Sequence, residues 1–192
     1  MHTTEFEVLE TLKQPYCPLC RLAQESAKDY LAGVLGDGVN DADVRDDWRR
    51  RGGLCGRHWR VWRGLDAAAL SSAIMAQDLL GSYLDNGFPK KRECRACQTE
   101  GEAEGRYLQS LRGLPEAKVE EALAAGRGFM CFRHLDMLKG GPLKDAFKGR
   151  LEGVQGELAE FIRKNDYRYA HEPSGDERDS WLRALRALGG EV

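Results

Sequence analysis

Cys17-Pro18-Leu19-Cys20, followed by Cys55-Gly56-Arg57-His58, decides how this sequence is read, because both motifs return as Cys94-Arg95-Ala96-Cys97 and Cys131-Phe132-Arg133-His134. The CxxC turns are offset by 77 residues and the CxRH segments by 76. One pattern, CxxC…CxRH, therefore occurs twice and uses all six cysteines and two of the four histidines. Other residues agree at the same offsets: Glu25 with Glu102, Tyr30 with Tyr107, Leu31 with Leu108, Arg51-Gly52 with Arg127-Gly128, and Gly64 with Gly140. A fixed period of this kind is the mark of an internal repeat. It predicts one duplicated domain over 1–165, with tandem pseudo-symmetric repeats at about 12–88 and 89–165. A loop and a C-terminal amphipathic helix would follow over 166–192.

The segments between the motifs read as helices. Leu143, Phe147, Leu151, Val154, Leu158 and Ile162 recur at intervals of four or three, which places them on one helical face. Pro142 stands where a helix N-terminus tolerates proline. Residues 66–86 form a second clear helix, with Asp66 as candidate cap and Leu70, Ala73, Ile74, Met75, Leu79 and Leu84 available to a core. Equivalent helices are expected over 21–35 and 98–112, shorter ones over 41–51 and 115–125, and a last one over 176–188 with Trp181, Leu182, Leu185 and Leu188 facing inward. No sustained alternation of β-branched residues occurs. The expected fold is an all-α helical bundle.

The motifs carry metal-ligand chemistry. A CxxC turn brings two thiolates to one ion. If CxRH opens a helix, its Cys and His lie three apart on one face. Three sulfurs and one nitrogen make a Cys₃His set, a common structural zinc complement. The candidate ligands are Cys17, Cys20, Cys55, His58, Cys94, Cys97, Cys131 and His134, enough for two Zn²⁺ per chain. The simplest grouping keeps each ion within one repeat: Cys17, Cys20, Cys55 and His58, then Cys94, Cys97, Cys131 and His134. Exchange of halves between the repeats is the alternative. A zinc with three thiolates is formally negative, so Arg21, Arg57, Arg95 and Arg133, beside the ligands, are candidate donors around the sulfurs. An iron–sulfur cluster or a thiol redox pair are the rival uses of these cysteines.

Knuckle plus helix start resembles the treble-clef zinc arrangement, but the spacer here reads as helical and lacks a clear β-hairpin. The duplicated motif and the tail KNDYRYAHEPSGDERDSWLRAL at 164–185 together resemble an uncharacterised family of bacterial cysteine-containing proteins of unknown function. The resemblance implies a bacterial origin and a metal site at these residues, and no activity.

Composition narrows the function classes. The 192 residues are 42% hydrophobic and 31% charged with a net charge of -2, so neither a disordered chain nor a globally basic nucleic-acid binder is indicated. No stretch has the roughly 18 consecutive apolar residues of a membrane span. The N-terminus MHTTEFEVLETLK does not read as a secretory signal. The expected compartment is the cytoplasm, where thiols stay reduced. The segment 48–63, WRRRGGLCGRHWRVWR, holds six arginines and three of the four tryptophans. Arg49, Arg50, Arg51, Arg60 and Arg63 could contact phosphates while the tryptophans stack on bases. The plainer reading makes Trp59 and Trp62 core anchors and pairs the arginines with Asp41, Asp43, Asp46 and Asp47; apolar Leu135 and Leu138 at the equivalent positions favour it. His171 with Glu172 and Asp176 reads as a surface loop, and His2 as a terminal residue. No GxSxG, P-loop, dinucleotide fingerprint or HExxH motif occurs. The sequence thus points to a cytosolic, non-enzymatic zinc protein acting as a binding or regulatory module, with a protein as the first expected partner and nucleic acid as the second.

Overall fold

The computed structural model describes residues 3–65, 69–90, 92–169 and 171–190. Among them the secondary structure is entirely helical. In chain order the helices are α1 (Thr3–Leu12), α2 (Pro18–Gly36), α3 (Ala42–Arg51), α4 (Gly56–Arg63), α5 (Ala69–Asn86), α6 (Arg95–Gly113), α7 (Glu116–Ala124), α8 (Phe132–Met137), α9 (Pro142–Lys164) and α10 (Ser180–Gly189). Two 3-10 turns, Gly38–Asn40 and Asp176–Asp179, precede α3 and α10. The proposed cap Asp66 and the terminal residue His2 lie outside the described residues.

The chain forms two compact units, one of Met1–Leu22 with Arg106–Val192 and one of Ala23–Gly105. The boundaries fall inside α2 and α6, each of which carries residues of both units.

In the unit of 23–105, Ala27, Leu31 and Val34 of α2 pack with Trp48, Leu54, Trp62, Met75, Leu79 and Ala96. Trp48, Trp59 and Trp62 meet edge to face, with ring centroids 5.2–6.1 Å apart. Their polar ends are used too: Trp48 Nε1 donates to Tyr30 Oη at 2.9 Å and Trp62 Nε1 to Ser72 Oγ at 2.7 Å. Asp41 caps α3 by accepting from the Asp43 and Val44 amides. Gly52, at φ 80°, ends α3 in the left-handed conformation that glycine adopts without strain. Helix α5 buries Met75 and Leu79 but leaves Leu70, Ala73 and Leu84 outside, against the sequence expectation. A helix this apolar does not specify its inward face by periodicity alone, and the Ser72–Trp62 hydrogen bond marks the face chosen.

In the other unit α7 lies against α1 and α9, and α10 against α8 and α9. Val8, Leu12, Leu111, Val119, Phe129, Met130, Phe147 and Val154 are buried there. Tyr107 Oη donates to Glu7 at 2.9 Å, tying the end of α6 to α1. The C-terminal helix also departs from expectation. Trp181, Leu182, Leu185 and Leu188 remain exposed, and α10 docks through Ser180, Arg183 and Ala187. The cause is electrostatic: the buried Arg183 guanidinium donates to Glu157 and to Asp179, so this polar face turns inward.

Candidate metal centres

Each unit contains one Cys₃His cluster, assembled by a short backbone clasp. In the unit with the chain termini, Gly128 N donates to Leu12 O at 3.0 Å and Phe129 N to Tyr16 O at 3.3 Å, which sets the approach to Cys131 beside the approach to Cys17. The contact is too close for side chains: a Cβ on Gly126 would lie 2.2 Å from Lys13 Cα, and one on Gly128 2.1 Å from Leu12 O. Arg150 donates to the Gly126 and Gly128 carbonyls and holds this crossing. In the other unit Glu93 N donates to Arg51 O at 2.9 Å and Arg92 to Gly52 O at 3.2 Å, bringing the approach to Cys94 beside the approach to Cys55.

These clasps determine which ligands meet. Cys17, Cys20, Cys131 and His134 form the first cluster, and Cys55, His58, Cys94 and Cys97 the second. In each set the four ligand atoms lie within 4.8 Å of one another. The grouping within each CxxC…CxRH segment is therefore corrected: Cys17 and Cys20 join Cys131 and His134, while Cys55 and His58 join Cys94 and Cys97. All eight candidate residues are used, in the exchanged arrangement.

Cys131 and Cys55 stand at the N-caps of α8 and α4 with extended backbone and no capping hydrogen bond from the side chain. Each thus turns its sulfur to the cluster, and the histidine three residues on shares its face. His134 Nδ1 lies 3.3 Å from Cys17 and Cys20 and 3.2 Å from Cys131, with the Cys20 and Cys131 sulfurs 3.7 Å apart. His58 Nδ1 is 3.3 Å from each of Cys55, Cys94 and Cys97, and the Cys55 and Cys97 sulfurs are 3.6 Å apart. A tetrahedral ion with Zn–S of about 2.3 Å and Zn–N of about 2.0 Å needs sulfur–sulfur edges of roughly 3.8 Å and sulfur–nitrogen edges of roughly 3.5 Å. Both clusters fit that polyhedron, and their donor set is the one a borderline-soft ion prefers.

The surroundings differ. Beyond His58, Nε2 faces Glu100 Oε1 at 3.2 Å, and Arg57 pairs with the same carboxylate, with its charge also acting on Cys97. A carboxylate accepting from Nε2–H leaves the Nδ1 lone pair directed at the sulfurs, as in carboxylate–histidine–metal triads. At the first cluster Arg133 Nη2 lies 3.2 Å from His134 Nε2. Both arginines bring positive charge to a thiolate-rich set. Arg21 instead lies over the Tyr16 ring at 5.3 Å, and the charge of Arg95 acts on Tyr30. Glu100 escapes a sequence reading because it is one of 31 acidic residues. The usable signal is its position three past Cys97, on the same face of α6; the corresponding position after Cys20 is Ala23.

The protein groups polarise one another. Hydrogen bonds to Cys94, then to Glu100, raise the His58 pKa to about 10. Burial opposes but the thiols Cys131 and Cys20 outweigh it at His134, which rises to about 9. Burial also opposes ionisation of Cys94, yet His58 and backbone donors bring it down to about 6. Burial and its thiol neighbours push Cys97 up to about 12. Burial, with Cys131 and Cys20 beside it, raises Cys17, whereas hydrogen bonds from Cys17 and Cys20 pull Cys131 far below the usual thiol range. In each cluster one sulfur is thus made more acidic and the imidazole beside it more basic.

The arginine-rich segment is occupied in salt bridges. Arg49 Nη1 meets Asp78 at 2.7 Å, Arg50 meets Asp46 at 3.0 Å, and Arg51 meets Asp47 at 2.8 Å and Glu93 at 3.4 Å. Arg60 and Arg63 are exposed. Trp48 and Trp62 are 1% exposed and so cannot stack on bases. His171 is exposed, and Glu172 is held by Arg163.

Fold and clusters together define a helical protein with two Cys₃His groups suited to metal. Over 95% of its length the chain is 27% identical to the uncharacterized 23.9 kDa protein in the xynA 3' region of Caldicellulosiruptor sp. (strain Rt8B.4), covering 99% of that protein. No family profile and no solved structure matches the chain. Among the described residues, no helix is long and apolar enough to cross a membrane.

Proposed function

We propose that the protein binds two Zn²⁺ ions, one at Cys17, Cys20, Cys131 and His134 and the other at Cys55, His58, Cys94 and Cys97, and that the ions organise its fold in the cytoplasm as part of a binding or regulatory role. The observation that carries this is the near-equal spacing of each His Nδ1 from three sulfurs, 3.2–3.3 Å in both clusters. Such compact sets suit a single ion. A multi-iron cluster is held by cysteines on different irons and would spread them further apart. Four protein ligands fill a tetrahedral shell, whereas a water-activating zinc keeps one position open. A reducing compartment would keep the six cysteines as the free thiols that metal binding needs.

Metal analysis of untagged protein purified without air, with its absorption spectrum, tests this reading. The expected result is two zinc ions per chain and no visible band. Replacement by cobalt should give the intense d–d absorption of a tetrahedral thiolate site. Iron with acid-labile sulfide, or protein without metal, would overturn it.

A further inference from the structure

The two clusters share a donor set but not an environment. In the first, Cys17 is 0% exposed, Cys131 and His134 are 1% exposed, and Cys20 is half-buried. In the second, Cys97 is exposed and Cys55 and Cys94 are half-buried. Only His58 there is buried, at 1%. Cys97 lies at the start of α6, its sulfur 3.6 Å from that of Cys55 and acted on by the charge of Arg57. An exposed sulfur beside a cation and a second sulfur is the arrangement in which a thiol is oxidised and then resolved.

We propose that the Cys55, His58, Cys94 and Cys97 centre is a redox-sensitive switch, releasing its ion on oxidation by a hydroperoxide, while the more deeply buried centre keeps its own and holds the fold. This rests on both clusters binding metal. The Cys97 sulfur, a thiolate while the ion holds it, attacks the peroxide, forming an S–O bond as O–O breaks, and the departing hydroxide takes up a proton. The Cys55 thiolate then attacks the Cys97 sulfur; S–S forms, S–O breaks, and a second water leaves. Two thiolates, one hydrogen peroxide and two protons thus become one disulfide and two waters. Cys94 and His58 alone do not retain the ion, and a dithiol reductant with zinc restores the site.

The test uses full-length protein first shown to carry two zinc ions per chain. A lower count overturns the metal reading before any oxidant is added. Hydrogen peroxide is then added, zinc release is followed with a chromophoric chelator, and cysteines are mapped by differential alkylation and mass spectrometry. One ion should leave at least about tenfold faster than the other, with the disulfide confined to Cys55, Cys94 and Cys97. Loss of both ions at one rate, or oxidation of Cys17, Cys20 or Cys131 first, would overturn the proposal. Cys97→Ser supplies a second reading: its remaining ion should resist peroxide as the slow ion of the parent does. If the variant fails to fold, the site-resolved alkylation time course of the parent decides alone, since the order in which its cysteines are oxidised needs no substitution.

Discussion

Glu100 and Gly128 show how much single residues contribute to the clusters. Glu100 fixes the ring of His58 from outside the ligand set, through its contact with Nε2. Glu100→Ala should lower zinc affinity at the second centre by about 10–100-fold and leave the first unchanged, as removal of such a partner does elsewhere. Competition titration with a chromophoric chelator separates the two ions; an equal loss at both would contradict this assignment. Gly128 acts sterically. Its amide is clasped to Leu12 O, and a Cβ there would stand 2.1 Å from that oxygen. Gly128→Ala should cost about 1–3 kcal/mol or more, the range for forcing atoms into a packed site. Gly140→Ala, with nothing within 4 Å of its Cβ, is the control and should leave the melting temperature unchanged. The CxxC and CxRH residues were legible because their chemistry and spacing are rare. Glu100 and Gly128 were not, because their roles arise only when a distant segment arrives beside them.

At the scale of the element, α10 is the instructive case. Its apolar residues lie on one face, yet the helix docks through Arg183, which is 3% exposed and held by Glu157 and Asp179. Arg127 joins the same group through Asp179 at 2.6 Å. Arg183→Ala should destabilise the protein by about 1–3 kcal/mol, because it strands partners that were chosen to face a buried cation. Leu185→Ala, on the exposed face, should change stability by less than about 0.5 kcal/mol in the same denaturant titration. The preceding turn should respond to pH. Glu177 accepts from Gly175 N at 2.8 Å and Lys164 Nζ at 2.9 Å, and these bonds hold its pKa at about 2, below the usual 4.5. A carboxylate depressed in the folded state contributes stability above its unfolded pKa and loses it as pH falls toward the folded value. The stability difference between the protein and Glu177→Gln should therefore be full above about pH 4.5 and shrink as pH falls toward about 2. Denaturant unfolding of both at several pH values checks the sign. Periodicity predicted the long helices, and α9 spans Pro142–Lys164 against an expected 143–162. It could not choose an inward face for α5 or α10, where buried hydrogen bonds and ion pairs decide.

For the whole molecule, the consequence is that ligands 111 residues apart share one site, as Cys20 and Cys131 do. Stoichiometry of double variants tests the arrangement. Cys20→Ser with Cys131→Ser should lose one zinc, no more than either substitution alone, whereas Cys20→Ser with Cys55→Ser should lose both. The opposite pattern, two ions lost with Cys131 and one with Cys55, would restore the grouping within each sequence segment. Residue types and spacing were enough by themselves to indicate a helical fold and to single out eight candidate ligand positions, since thiol–imidazole chemistry and helical periodicity are local properties. They could not pair those positions, because each CxxC is chemically compatible with either CxRH. The tertiary structure makes that choice through the backbone clasps of Gly128 to Leu12 and of Glu93 to Arg51. It also leaves one cluster more deeply buried than the other, a difference that depends on which segments cover each sulfur.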